Sequence, residues 1–172
     1  MEVIDYNGSG CWSRESILQR YEEYADRLNL ASLLDLRPME HEGEGKRWIY
    51  PVMGKVIDGI EKGDPACTQI GVEFIEEDAS FAFGQILKAS TARALRRTAL
   101  TSEQMERIRR RVVDMIVRGY LPREFKQYQK LARKIGLGPY IGEIAERADF
   151  SNPWVCRYYE QLRDAESKRG IT

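Results

Sequence analysis

Apolar residues along this chain recur every three or four positions and strand-like alternation is nearly absent, so the pattern predicts helices almost throughout. Ser13 is placed to cap a first helix whose stripe is Ile17, Tyr21, Tyr24 and Leu28, with Leu18 and Ala25 beside it. The stripe runs on through Leu30, Leu33 and Leu34 towards Leu36 and stops before Pro38. From Pro38 to Lys46 the chain is polar, contains two glycines and has no periodicity, which predicts a flexible linker over residues 38–47. A helical arm, residues 1–37, then stands apart from a helical body, residues 48–172, in what the length of 172 residues suggests is one domain overall.

The body is clearly punctuated. Pro51 suits a first helical position, followed by the stripe Val52, Met53, Val56, Ile57 and Ile60. In Lys62-Gly63-Asp64-Pro65, Gly63 suits the left-handed position after one helix, Asp64 the cap of the next and Pro65 its first turn. The second helix buries Cys67, Ile70, Gly71 and Phe74, and Gly71 lets a neighbouring backbone approach closely, so residues 51–77 read as an antiparallel hairpin. A helix over about 85–97 follows. Thr101 and Gln104 then form a capping box, with Leu100 and Met105 as its hydrophobic staple, opening a helix that buries Met105, Ile108, Val112, Met115 and Ile116 and ends at Gly119. Pro122 opens another that Gly136 closes, Pro139 a short one to Ala148, and Asn152-Pro153 the last, with Trp154, Val155, Tyr158 and Leu162 on its apolar side.

These elements amount to an all-α fold of seven or eight helices in consecutive antiparallel hairpins, either a HEAT- or armadillo-like stack or an irregular helical bundle. No fixed-period repeat decides between them. No apolar run reaches the ~20 residues of a membrane span, and the acidic first residues do not resemble a signal peptide. Cys11, Cys67 and Cys156 are odd in number and far apart, which fits a reducing cytosol better than a disulfide framework. The expected location is cytoplasmic, without membrane attachment.

Charge changes the picture more than composition does. Lys and Arg number 27, as do Asp and Glu, yet residues 1–87 carry 8 cations against 17 anions and residues 88–134 carry 14 against 4. An acidic part and a basic part can each attract something: each other, a second copy, another protein or a phosphate backbone. On a wheel of about 100° per residue, Arg107, Arg111 and Arg118 cluster opposite the apolar stripe, with Arg110 on the same outer half. Arg93, Arg96 and Arg97 precede them, and Lys126, Lys130, Arg133 and Lys134 follow. Guanidinium groups bind phosphates bidentately, and the interleaved Tyr120, Phe125 and Tyr128 suit stacking on unpaired bases. The alternative is a solvated face stitched by internal pairs, since Glu103 precedes Arg107 by four residues, Glu106 precedes Arg110 by four, and Asp114 lies between Arg110 and Arg118. Arg109 falls near the apolar stripe and so requires a partner, either the acidic group Glu73, Glu76, Glu77 and Asp78 or a bound phosphate.

That acidic group crowds one helix end and reads as a docking surface or as the arginines' partner. Helical di-iron sites need histidines at Glu-x-x-His spacing, and the single histidine, His41, sits in the expected linker, so no metal site is expected. A mobile His41 makes no general base. Gly43-Glu-Gly-Lys46 lacks the spacing of a phosphate loop, and the cysteines have no sequence partner that makes a nucleophile. Trp48 and Trp154 read as packing anchors, while Trp12 either docks on the body or fills a partner's pocket. No catalytic residue and no cofactor is expected. The reading is a non-catalytic adaptor or binding module for a macromolecule, a protein or a second copy of itself. The alternatives are a nucleic-acid-binding protein using the Arg-rich helices, and an enzyme on a phosphorylated substrate.

Overall fold

The computed structural model describes residues 1–170; residues 171–172 of the expected body lie outside the described residues. The chain is mostly helical and divides into two compact units, Met1–Ala99 and Leu100–Thr172, so the division falls at Ala99 and not in the expected linker. The first unit contains strands β1 (Glu2–Asp5), β2 (Glu40–Gly43) and β3 (Lys46–Ile49) with helices α1 (Arg14–Arg27), α2 (Val52–Glu61), α3 (Pro65–Glu77) and α4 (Gly84–Leu95). The second contains α5 (Ser102–Val117), α6 (Phe125–Ile135), α7 (Tyr140–Arg147) and α8 (Pro153–Arg169).

The mostly helical chain fits the all-α expectation apart from this small three-stranded sheet, which overturns the expected linker. Residues 40–49 form a β-hairpin, with β3 antiparallel to β2 on one side and parallel to β1 on the other. Its turn, Glu44-Gly45, has positive φ at both residues, 50° and 74°, the two-residue geometry that matches strand twist. Arg47 pairs with Glu40, and Lys46 lies 3.4 Å from Glu2, so ion pairs tie all three strands. His41 is therefore held on a strand, its ring stacked on Trp48 at 4.3 Å.

The arm is not detached. Helix α1, capped by Ser13, buries Ile17, Tyr21 and Ala25 and packs on α2 and α3. It is shorter than the stripe predicts. Asn29 takes the left-handed conformation (φ 52°) and Leu30 N–H donates to Ala25 O (3.0 Å), closing a Schellman motif that ends the helix. The α2–α3 hairpin forms as predicted: Gly63 is left-handed (φ 82°), Asp64 caps Cys67 N–H (2.8 Å) and Pro65 opens α3. Pro51 lies one position outside α2, and the side chain of Asn7 caps Val52 N–H instead (2.7 Å). Helix α3 is buried nearly all round, between α1, α2 and α4.

Two tyrosines of α1 reach carboxylates on that central hairpin. Tyr21 donates to Asp64 (2.9 Å) and accepts from Leu34 N–H (2.9 Å), while Tyr24 donates to Glu73. Burial pushes both hydroxyls up to about 12, with the neighbouring carboxylates adding to the effect. In the unfolded chain they ionise near about 10. The folded state thus holds these protons more tightly, and its stability is complete below pH ~10 and lost as the pH rises towards 12. Urea midpoints measured across that window should fall, and Tyr21→Phe or Tyr24→Phe should each flatten the decline. A flat wild-type profile would show that the hydroxyls ionise without opening the packing.

In the second unit the predicted capping box is present, with Thr101 accepting from Gln104 N–H and Gln104 accepting from Thr101 N–H. Helices α5 and α8 each pack on both α6 and α7, around a core that includes Ile108, Met115, Phe125, Leu131 and Ile144. Pro122 lies in the turn ahead of α6, which begins three residues later than expected.

Candidate functional site

The acidic group is committed within the first unit. Glu73 is buried and pairs with Arg20 (3.1 Å), Tyr24 and Gln69 (3.3 Å). Glu77 accepts from the Trp12 indole N–H (2.9 Å), so Trp12 docks on its own body. Asp78 holds the buried Lys88 (2.5 Å). Glu76 is half-buried on the same helix. Three of the four carboxylates thus fasten the amino-terminal segment and α4 to α3.

The arginines of α5 are also committed. Arg110 pairs with Glu106 (3.0 Å) and Arg118 with Asp114 (2.7 Å), as the i,i+4 spacing allows. Arg111 is not on an open face: its side chain is 15% exposed and lies 3.6 Å from Asp114. Arg107 is half-buried on the same helix. Arg109 does not use the acidic group at 73–78. It caps the end of α6, donating to Gly136 O (2.7 Å) and Ile135 O (3.1 Å), with Glu106 at 3.9 Å. The Tyr140 hydroxyl, and then Arg110, hold the Glu106 carboxyl below its usual range. Arg93 on α4 and Arg97 in the turn after it are exposed, in the other unit.

What remains is a groove of about 500 Å³ between α6 and α8. Arg123, Lys126, Lys130, Arg133 and Arg157 line it, and no carboxylate does. Lys126, Lys130 and Arg133 follow one another at four and three residues, hence on one face of α6. No carboxylate among the described residues forms an ion pair with any of these five cations. In this they differ from Arg110, Arg111 and Arg118. On the α8 side, Trp154, Arg157, Tyr158 and Gln161 share a face at helical spacing. Trp154 is 57% exposed, with the Arg157 guanidinium 5.6 Å from its ring, so it is not the packing anchor expected. Phe125 and Tyr128 are buried, which removes them as stacking platforms. The groove floor is fixed by Gln129, which donates to Gln161 (3.1 Å), and by the edge-on contact of Tyr158 with Phe125.

Of the groove residues, sequence reasoning placed Lys126, Lys130 and Arg133 in the basic segment but missed Arg123, Arg157, Gln161 and the role of Trp154. The α8 spacing was available as a signal; which face of α6 it meets was not. Elsewhere, Met39, Phe83 and Ile86 are exposed around an apolar groove of about 410 Å³ in the first unit. Burial pushes the Cys67 thiol up, away from the reactive thiolate. Among the described residues no three His, Cys, Asp or Glu side chains form a metal-holding group, and no helix is long and apolar enough to cross a membrane. Comparison with protein-family models, curated proteins and solved structures finds no match to this chain.

Proposed function

We propose that this protein is a non-catalytic binding module that holds a polyanion, a nucleic acid, in the α6–α8 groove of its second unit. The observation that carries this reading is the set of five groove cations with no carboxylate among them. Uncompensated cations repel one another, and a phosphate chain removes that cost while releasing its own counterions. For the first unit we propose the irregular bundle over a HEAT-like stack, because α3 is enclosed by three helices whereas a repeat touches only its neighbours. The odd number and wide spacing of Cys11, Cys67 and Cys156 are what support a reducing compartment.

Anisotropy of a labelled oligonucleotide across a salt series tests the reading. Five phosphate contacts on a duplex give a slope of log affinity against log salt of about −4.5. The variant Lys126→Ala/Lys130→Ala/Arg133→Ala should reduce that slope by about 3. Absence of binding at low salt would refute the proposal. A protein partner on the apolar groove of the first unit is the second reading. Its contact would be insensitive to salt or strengthened by it.

A further inference from the structure

We infer that the polyanion is duplex DNA and that α7, the turn 148–152 and α8 form a helix-turn-helix unit that presents α8 to the major groove. This rests on the polyanion reading of the same groove and goes further, naming the ligand and the reading element.

The first support is the supersecondary arrangement. In this device a short helix is joined by a turn of about three or four residues to a second helix, which crosses it steeply and is presented to DNA. Here the eight-residue α7 is followed by residues 148–152 and then by α8, and the two helices pack on each other. The turn is fastened to itself. Asp149 accepts from Ser151 N–H (2.9 Å) and its hydroxyl (2.6 Å), Asn152 N–H donates to Asp149 O (3.2 Å), and Asn152 caps Trp154 N–H (3.0 Å). Pro153 fixes the first helical residue. Ile144, Val155 and Leu162 bury the inner sides of both helices. The start of α8 is thus fastened by the turn and by its inner side, with Trp154 and Arg157 left exposed on its first two turns while Tyr158 and Gln161 further along pack on α6.

The second support is the sorting of charge along α8. Residues 153–159 include Arg157 and no acidic residue, whereas the later residues mix Glu160, Asp164 and Glu166 with Arg163, Lys168 and Arg169. The amino-terminal end, which also carries the positive end of the helix dipole, is therefore the end that tolerates DNA. That is the end such helices direct at base edges. Trp154 and Arg157 are exposed there, and Arg is the commonest reader of guanine. The third support is the α6 row. Lys126, Lys130 and Arg133 span about 10 Å along the helix beside α8. That is close to the ~12 Å width of a major groove, so they are placed to hold phosphates while α8 reads bases. A single-stranded ligand fits less well, because such sites use successive exposed aromatics. Of the two aromatics lining this groove, Trp154 is exposed and Tyr158 is packed edge-on against Phe125.

The test is selection of binding sequences from a randomised duplex pool with the full chain, followed by anisotropy on the enriched duplex, a scrambled duplex, the single strand and heparin. The expected result is an enriched motif, bound at least tenfold more tightly than the scrambled duplex and the single strand. Arg157→Ala and Trp154→Ala should each lower the enriched-over-scrambled ratio at least tenfold, while Lys126→Ala should weaken all duplexes alike. Circular dichroism confirms that these variants fold, and Arg157→Lys provides a conservative check on the bidentate contact. Equal binding of every polyanion with no enriched motif overturns the helix-turn-helix assignment and leaves the polyanion reading standing. An enriched motif whose preference survives both α8 substitutions overturns the role of α8. No binding to any of the four overturns both.

Discussion

Replacing Glu73 by alanine should cost the first unit about 3–5 kcal/mol of folding free energy, because it leaves a buried guanidinium without its counter-charge. The side chains of Arg20 and Glu73 are 15% and 10% exposed and 3.1 Å apart. Tyr24 donates to the same carboxylate, so its loss also takes the acceptor from that phenol. Arg20 has further commitments: it donates to Cys11 O (2.5 Å) and lies over the Trp12 ring at 4.6 Å. It therefore cannot leave for solvent without releasing the amino-terminal segment. Glu73→Gln should fall between wild type and alanine, since it retains an acceptor but not the charge. Removing both partners, as Arg20→Met/Glu73→Leu, should cost less than Glu73→Ala alone. Urea unfolding followed by circular dichroism decides it. A cost for Glu73→Ala below about 1 kcal/mol, the range of solvated surface pairs, would mean that water replaces the carboxylate.

Gly59→Ala should destabilise by about 1–3 kcal/mol through overpacking. This reverses the usual sign, since alanine in mid-helix normally gains about 0.5–1 kcal/mol over glycine. The reason is the close approach of α2 and α3. A Cβ on Gly59 would collide with Cys67 Sγ and lie 3.0 Å from Cys67 Cβ and 3.1 Å from Leu34 Cδ1. Cys67 has no long side chain to swing away, so the helices must separate. Cys67→Ala removes the colliding sulfur, and the double variant should recover part of the loss, a favourable coupling of about 0.5–3 kcal/mol in a double-mutant cycle. If Gly59→Ala instead stabilises, the two helices are not in contact at this point.

The parts of the fold legible in the sequence are those decided within a few residues. Gly63, Gly119 and the Thr101–Gln104 box punctuate helices through local hydrogen bonds, and the expected stops and starts are present there. Asn29 ends α1 by the same device as Gly63, but the apolar residues beyond it disguised the stop. The sheet was not legible. Its strands are only four residues long: β2 (Glu-His-Glu-Gly) is exposed throughout and holds no β-branched or large apolar residue, while Val3-Ile4 in β1 and Trp48-Ile49 in β3 are apolar pairs too short to show alternation. Its parallel pairing joins Glu2 to Lys46, far apart in the chain.

The candidate site divides in the same way. The spacing of Glu106 to Arg110 and Asp114 to Arg118 already offered the internal pairs that occupy the α5 arginines. The α6 row was visible as a row of charge. That it faces Arg157 and Trp154 depends on how α6 and α8 pack, a non-local choice that Tyr158 against Phe125 and Gln129 with Gln161 settle. Trp154 also misled, because a tryptophan at helical spacing with Val155 and Leu162 reads as core when its face of the helix points outwards.

The placement of the tryptophans gives the protein an optical consequence. Trp12 is buried beneath Arg20, Trp48 is stacked on His41, and Trp154 stands open in the groove. The three indoles thus emit from different surroundings, and the most solvated of them, whose emission lies furthest to the red, sits where a ligand would bind. Occupancy of the groove can be followed as quenching at that red edge on the unlabelled protein, while Trp12 reports separately on whether the amino-terminal segment is still in place.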